Sequence, residues 1–313
     1  MRRGNRLAAG KPPVGVLSIE GFVSFVGFVR FTIFAAVKNL DHIVSPIADE
    51  LKQFEAFFDR TLQADTEPMN AIMQYVCQTH GKRLRPLLVL LGAKLFGDVN
   101  EQTLRAAAFV EMVHNATLIH DDVVDDDDQR RGQDSVKAHF GNLSAVLSGD
   151  YLLAKAMLLL MEPADRAILQ EMLRTTAAMS EGELMQGSVG LSYHDSRCDA
   201  TQQRLPRCDS PTDQYLDIIT RKTALLMRSC CAAGALSVNA TTEQVQQIAD
   251  FGLNFGILFQ LRDDLLDDEN EDQAQALLPV YYEKALKALE GFAPSTITET
   301  LRDLTVFCAE REE

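Results

Sequence analysis

Apolar residues recur at intervals of three and four along most of this chain, and that spacing predicts a series of amphipathic helices. Over residues 40–62 the positions Ile43, Ile47, Leu51, Phe54, Phe58 and Leu62 fall on one face. A short helix over 69–78 follows, and Gly81 breaks it. Pro86 is placed to open a helix running to 96, because a first helical turn tolerates proline best. Further helices are predicted over 104–124, 143–161, 164–187, 213–238, 242–268, 273–289 and 295–310. Residues 129–132 and the polar, proline-bearing stretch 188–212 read as loops. Strand-like alternation persists nowhere, so the expected fold class is an all-α helical bundle around a cavity.

Residues 1–37 stand outside this pattern. The start is basic, and residues 14–37 are largely apolar but carry Glu20 and Arg30. A membrane span of about 20 residues carries few or no charges, and no small-residue cleavage site stands out. A membrane anchor, a targeting segment and an upstream extension outside the working protein compete. The last is favoured, because regular amphipathic spacing begins only near Leu40. The working domain is expected over 38–313, with no more than transient membrane contact.

Composition narrows the chemistry. Of 313 residues 46% are apolar, ample for a core, and the formal net charge is −15. That balance argues against nucleic acid as a partner. The six cysteines form no C-x-x-C pair and no zinc-ligand spacing with histidine, so free thiols in a reducing cytoplasm are expected. Cys198 and Cys208 flank a polar loop in which oxidation could pair them.

Much of the negative charge sits in two clusters. One reads His120-Asp121-Asp122-Val123-Val124-Asp125 and continues through Asp128; the other reads Gln260-Leu261-Arg262-Asp263-Asp264-Leu265-Leu266-Asp267. Each places Asp-Asp-x-x-Asp at the end of an apolar helical run. Positions four apart share a helix face, so Asp121 aligns with Asp125 and Asp263 with Asp267. Opposed across a cavity, such faces repel unless divalent cations lie between them. Carboxylates without histidine or cysteine suit Mg²⁺, which also takes phosphate oxygens. The clusters therefore read as a clamp for a diphosphate. Cations stand nearby: Lys82, Arg83 and Arg85 at a helix start, Arg130 and Arg131 after the first cluster, and Lys222 beside Thr223.

Taken with Gly81-Lys82-Arg83-Leu84-Arg85-Pro86, His114-Asn115-Ala116-Thr117, Arg130-Arg131-Gly132, Ser148-Gly149-Asp150-Tyr151, Gly182-Glu183-Leu184 and Arg221-Lys222-Thr223, the chain resembles the trans-isoprenyl diphosphate synthases, or polyprenyl synthetases, over roughly residues 40–268. The resemblance implies a homodimeric all-α bundle that condenses isopentenyl diphosphate with an allylic diphosphate. It implies that Asp121, Asp125, Asp263 and Asp267 hold Mg²⁺, with Asp122 and Asp264 in support. It implies that Arg130, Lys222, Thr223 and Gln260 bind the allylic diphosphate, and that Lys82, Arg85, His114 and Arg131 bind isopentenyl diphosphate. Asp121, Asp122, Asp125, Lys222, Asp263 and Asp264 then carry the chemistry, which needs no side-chain nucleophile. Ala116 and Thr117, about one turn before Asp121, are small where an aromatic would plug a tunnel for the growing tail. A long product of octaprenyl length is therefore expected, and Ala116→Phe should shorten it.

The chain departs from the family pattern after the second cluster. Residues 268–272 run into Gln273-Ala274-Gln275 without the Gly-Lys stretch the family has there, and the remainder reads as shortened. A degenerate subunit partnering an active synthase is the main alternative. A terpene cyclase is the other, disfavoured because it needs only one diphosphate site.

Overall fold

Helix α4, Leu84–Lys94, is buried on every side from Pro86 to Ala93, as its unbroken apolar sequence requires of a central helix. The computed structural model describes residues 40–78, 83–190 and 210–311, the side chains of 187–190 excepted. Residues 1–37, Lys82 and the pair Cys198 and Cys208 lie outside the described residues. Residues from Leu40 onward form one compact unit. Around α4 run α1 Leu40–Val44, α2 Ala48–Leu62, α3 Glu67–Gln78, α5 Glu101–Val124, α6 Val136–Phe140, α7 Asn142–Leu159, α8 Arg166–Gly190, α9 Pro211–Ile219, α10 Leu225–Ser237, α11 Thr242–Leu266, α12 Glu271–Ala288 and α13 Thr296–Glu310. Helix α10 packs on α4 and α11, α5 on α7, and α12 and α13 on α11. The architecture is the all-α bundle expected from the periodicity.

Four expectations are corrected. The helix over 40–62 is broken at Ser45–Ile47, a 3-10 turn, because Pro46 has no backbone N–H to continue the ladder. Pro86 does not open α4, which starts two residues earlier at Leu84. The segment 129–132 belongs to a two-stranded hairpin, Gln129–Arg130 with Gln133–Asp134. Helix α8 runs to Gly190 and α9 begins at Pro211, which narrows the loop expected over 188–212 from both ends. Between α9 and α10 the backbone makes a π-helical turn, Thr220–Ala224. Among the described residues no single helix is long and apolar enough to cross a membrane.

Candidate functional site

Both aspartate clusters end long helices, and both ends are built alike. Asp125 caps α5 and Asp267 caps α11. The next residues, Asp126 and Asp268, take left-handed backbone at φ 59° and 56°, a region that aspartate tolerates better than most side chains. The residue after each closes the turn, Asp127 N–H on the Asp122 carbonyl at 3.0 Å and Glu269 N–H on the Asp264 carbonyl at 2.7 Å. These are Schellman closures. The two clusters are thus repeats in geometry as well as in sequence.

Each closure sorts its aspartates the same way. The second of each set turns inward: Asp122 accepts from Arg130 Nε at 2.8 Å, and Asp264 accepts from Tyr215 Oη at 2.5 Å and Gln260 Nε2 at 2.7 Å. Asp122 and Asp264 are buried anchors. Asp121 and Asp263 are half-buried, while Asp125 and Asp267 are exposed. These carboxylates stand at the negative ends of two helix dipoles. Burial, then Glu183 and Asp125, push the Asp121 carboxyl up to about 6, against the pull of Lys222 and Arg130. Burial also raises Asp263, although Arg311 pairs with it. Lys137 takes Asp126 and Asp128, which removes them from the site.

The wall between the clusters is the π-helical turn. It presents Lys222 to Glu183 at 3.0 Å and to Gln186 at 2.9 Å, while Thr223 Oγ1 donates to Gln260 Oε1 at 2.7 Å. A hydrogen-bonded series therefore runs from Thr223 through Gln260 to Asp264 and Tyr215. Two glycines allow the close approach. A Cβ on Gly182 would lie 2.7 Å from the Arg221 Cβ, and one on Gly256 would lie 2.6 Å from the Ala224 Cα. Arg221 turns to Asp217 and Glu181 instead of the aspartates.

Beside this wall lies a cavity of about 450 Å³, lined by Arg83, Arg85, Glu111, His114, Arg131 and Arg311 among others. Arg83 pairs with Glu111, and Arg85 Nη1 donates to His114 Nε2 at 2.9 Å. Burial and four surrounding arginines hold the His114 imidazole well below its usual range, so it is neutral and Nε2 is an acceptor. The Arg85 Nε is buried without a partner. Among the described residues the cavity lining gathers four guanidinium groups, with Arg83 on Glu111 and Arg311 on Asp263, a cationic surface that suits an anion.

The structure sets Lys222 near Asp121, joins Thr223 through Gln260 to Asp264 next to Asp263, and gathers Arg85, His114 and Arg131 in the adjoining cavity. Arg130 is turned onto Asp122. Among the described residues no three acidic, histidine or cysteine groups stand close enough to hold a metal ion alone. The donor set is nevertheless all oxygen, and Asp121 is partly buried with Glu183 and Asp125 near it, which fits a hard divalent cation with further ligands from elsewhere. Sequence reasoning gave no role to Glu183, Tyr215, Glu111 or Arg311. The Gly182-Glu183-Leu184 motif was the available signal for the first; the others depend on contacts between distant helices.

Comparison with known proteins identifies the family. The sequence model of the family described as Polyprenyl synthetase matches residues 66–276. The chain is 32% identical over 275 residues to "Heptaprenyl diphosphate synthase component 2" of Geobacillus stearothermophilus, covering 82% of this chain and 81% of that one. It is 31% identical to "Octaprenyl diphosphate synthase" of Escherichia coli, covering 73% and 66%. Among solved structures, a polyprenyl synthase from Caulobacter crescentus complexed with calcium and isoprenyl diphosphate superposes with a TM-score of 0.75 at 26% identity, over 88% of this chain and 99% of that one.

Proposed function

The chain belongs to the polyprenyl synthetase family of prenyltransferases, and from that premise we propose that it condenses isopentenyl diphosphate with an allylic diphosphate, using Mg²⁺, to an all-trans long-chain polyprenyl diphosphate. The observation that carries the reading is the adjacency of two sites that suit a diphosphate: paired aspartate helix ends, which take one through bound cations, and a cavity lined by Arg83, Arg85, Arg131 and Arg311. A two-substrate diphosphate condensation needs both.

Asp121, Asp125, Asp263 and Asp267 would hold the cations. Bound there, Mg²⁺ supplies charge that stabilises the departing pyrophosphate. Lys222 lies near Asp121 and adds a cation at the leaving group. Thr223 and Gln260 orient the allylic diphosphate, and Tyr215 and Gln260 fix Asp264 so that Asp263 keeps its aim. Arg85, neutral His114 and Arg131 hold the isopentenyl diphosphate. The allylic C–O bond breaks with its electrons leaving on pyrophosphate. The isopentenyl double bond then forms the new C–C bond, and the released pyrophosphate takes the proton lost.

Related chains bear names from farnesyl to nonaprenyl diphosphate synthase, so length is argued from the helix before Asp121. Ala116 is fully buried in α5, whereas Thr117 is half-buried one turn before Asp121. Thr117→Phe is expected to shift the main product to farnesyl or geranylgeranyl length without loss of isopentenyl incorporation; an unchanged product distribution would remove Thr117 from the tunnel.

Leu143, Leu147 and Leu158 of α7 are 75%, 51% and 71% exposed, a row suited to cover by a second subunit. We propose a homodimer. The likeness to a chain named component 2 supports a second reading, in which a different subunit takes that place. Among the described residues the cysteines Cys77, Cys230, Cys231 and Cys308 are free thiols, in keeping with a reducing cytoplasm.

The deciding test is purified protein with labelled isopentenyl diphosphate, farnesyl diphosphate and Mg²⁺, with product length read by chromatography. A long product that disappears with EDTA is expected. No product from folded protein would sink the homodimeric reading, and recovery on adding a second subunit would select the other.

A further inference from the structure

Arg311 is the first residue after α13, yet its side chain ends at the second aspartate cluster. Its backbone is fixed, with N–H on the Phe307 carbonyl at 3.0 Å and its own carbonyl accepting from Arg262 Nε at 2.8 Å. Its guanidinium lies 4.1 Å over the Phe259 ring and is only 9% exposed. One nitrogen, Nη2, donates both to Asp263 Oδ1 and, at 3.3 Å, to the Phe259 carbonyl. Nε is buried and donates to nothing. The same side chain lines the cationic cavity with Arg83, Arg85 and Arg131.

We propose that Arg311 is a displaceable counter-ion, which occupies Asp263 until a divalent cation takes that carboxylate and then serves a diphosphate in the adjoining cavity. The inference rests on the reading above, that Asp263 takes a cation and the cavity a diphosphate. A carboxylate shared between a guanidinium and a metal binds each less tightly than it would alone. Arg311 therefore opposes metal while the cavity is empty. Once released from Asp263, its charge has no counter-ion and its unpaired N–H lacks an acceptor, and both needs are met by phosphate oxygens. Metal and diphosphate are thereby coupled through one side chain, and such coupling is reciprocal.

The test is calorimetry on the full chain, which needs no turnover. Mg²⁺ titrated alone is expected to bind several-fold more tightly to Arg311→Gln than to wild type. Isopentenyl diphosphate titrated with saturating Mg²⁺, without allylic partner, is expected to bind about tenfold more weakly to Arg311→Gln, a loss in the range of one charge-assisted contact. Arg311→Lys keeps the charge but loses the planar stacked head, so it should fall between wild type and Arg311→Gln in both titrations, which supplies a second reading if the glutamine variant folds poorly. Weaker or unchanged Mg²⁺ binding in Arg311→Gln would overturn the inference, because loss of packing on Phe259 could only weaken the site. Wild type that binds neither ligand would overturn the proposed function and this inference together; wild type that binds both, with Arg311→Gln indistinguishable from it, would overturn this inference alone.

Discussion

Asp121→Asn is expected to cut turnover by roughly 10³-fold while raising the melting temperature of the metal-free protein at neutral pH. The two effects have one cause. In the folded chain the Asp121 carboxyl sits at about 6 rather than 3.8, mainly through burial and then through Glu183 and Asp125. A folded value above the unfolded one means that the native state binds the proton more readily between those limits. Stability from this group therefore falls as pH rises through that window and stays lost above it. Asparagine keeps the shape without the charge, so the variant should melt above wild type in EDTA at neutral pH. The gap should begin to narrow below about pH 6 and close as pH approaches 3.8. The same charge that costs stability is what a divalent cation requires, which is why its removal stops the chemistry. Fluorimetry across pH and steady-state rates with Mg²⁺ check both halves. An asparagine variant that melts below wild type at every pH, or retains a tenth of its rate, would remove Asp121 from the centre of the site.

The bundle was legible because its helices carry apolar stripes, although their ends were read less well: the helix expected from 104 starts at Glu101. Asn100 and Thr241 cap α5 and α11, the two helices that deliver the aspartates. The aspartate clusters were legible because four-residue spacing on a helix end has one geometric meaning. What sequence could not give was the sorting within each cluster. Nothing in Asp-Asp-x-x-Asp says that Asp122 and Asp264 turn inward; that follows from Arg130 and Tyr215 arriving from other elements. The hairpin at Gln129 escaped because two-residue strands leave no alternation to read. The π-helical turn escaped because a single inserted residue barely disturbs apolar periodicity, although such turns gather at functional sites. Arg311 escaped because a lone arginine past a helix end carries no pattern; only the fold reveals that Phe259 and Asp263 lie beneath it.

Glu111→Ala tests the second anion site from the opposite direction. Glu111 is buried in α5 and pairs with Arg83, whose backbone holds a left-handed conformation at φ 50° just before α4. Arg83 also lies 4.9 Å over the Phe58 ring. Removing one partner of a buried pair costs about 3–5 kcal/mol. Arg85, Arg131 and Arg311 share the cavity, so its positive charge rises as well. Urea denaturation should show that loss. Inorganic pyrophosphate should then stabilise the variant more than wild type, because an anion bound only by the folded state shifts the equilibrium by its occupancy. The variant has lost one negative charge beside the cavity, so pyrophosphate should bind it more tightly. A loss below about 1 kcal/mol would mean that the pair is solvated and weak. Equal or smaller stabilisation by pyrophosphate would mean that the cavity does not gather its cations for a diphosphate.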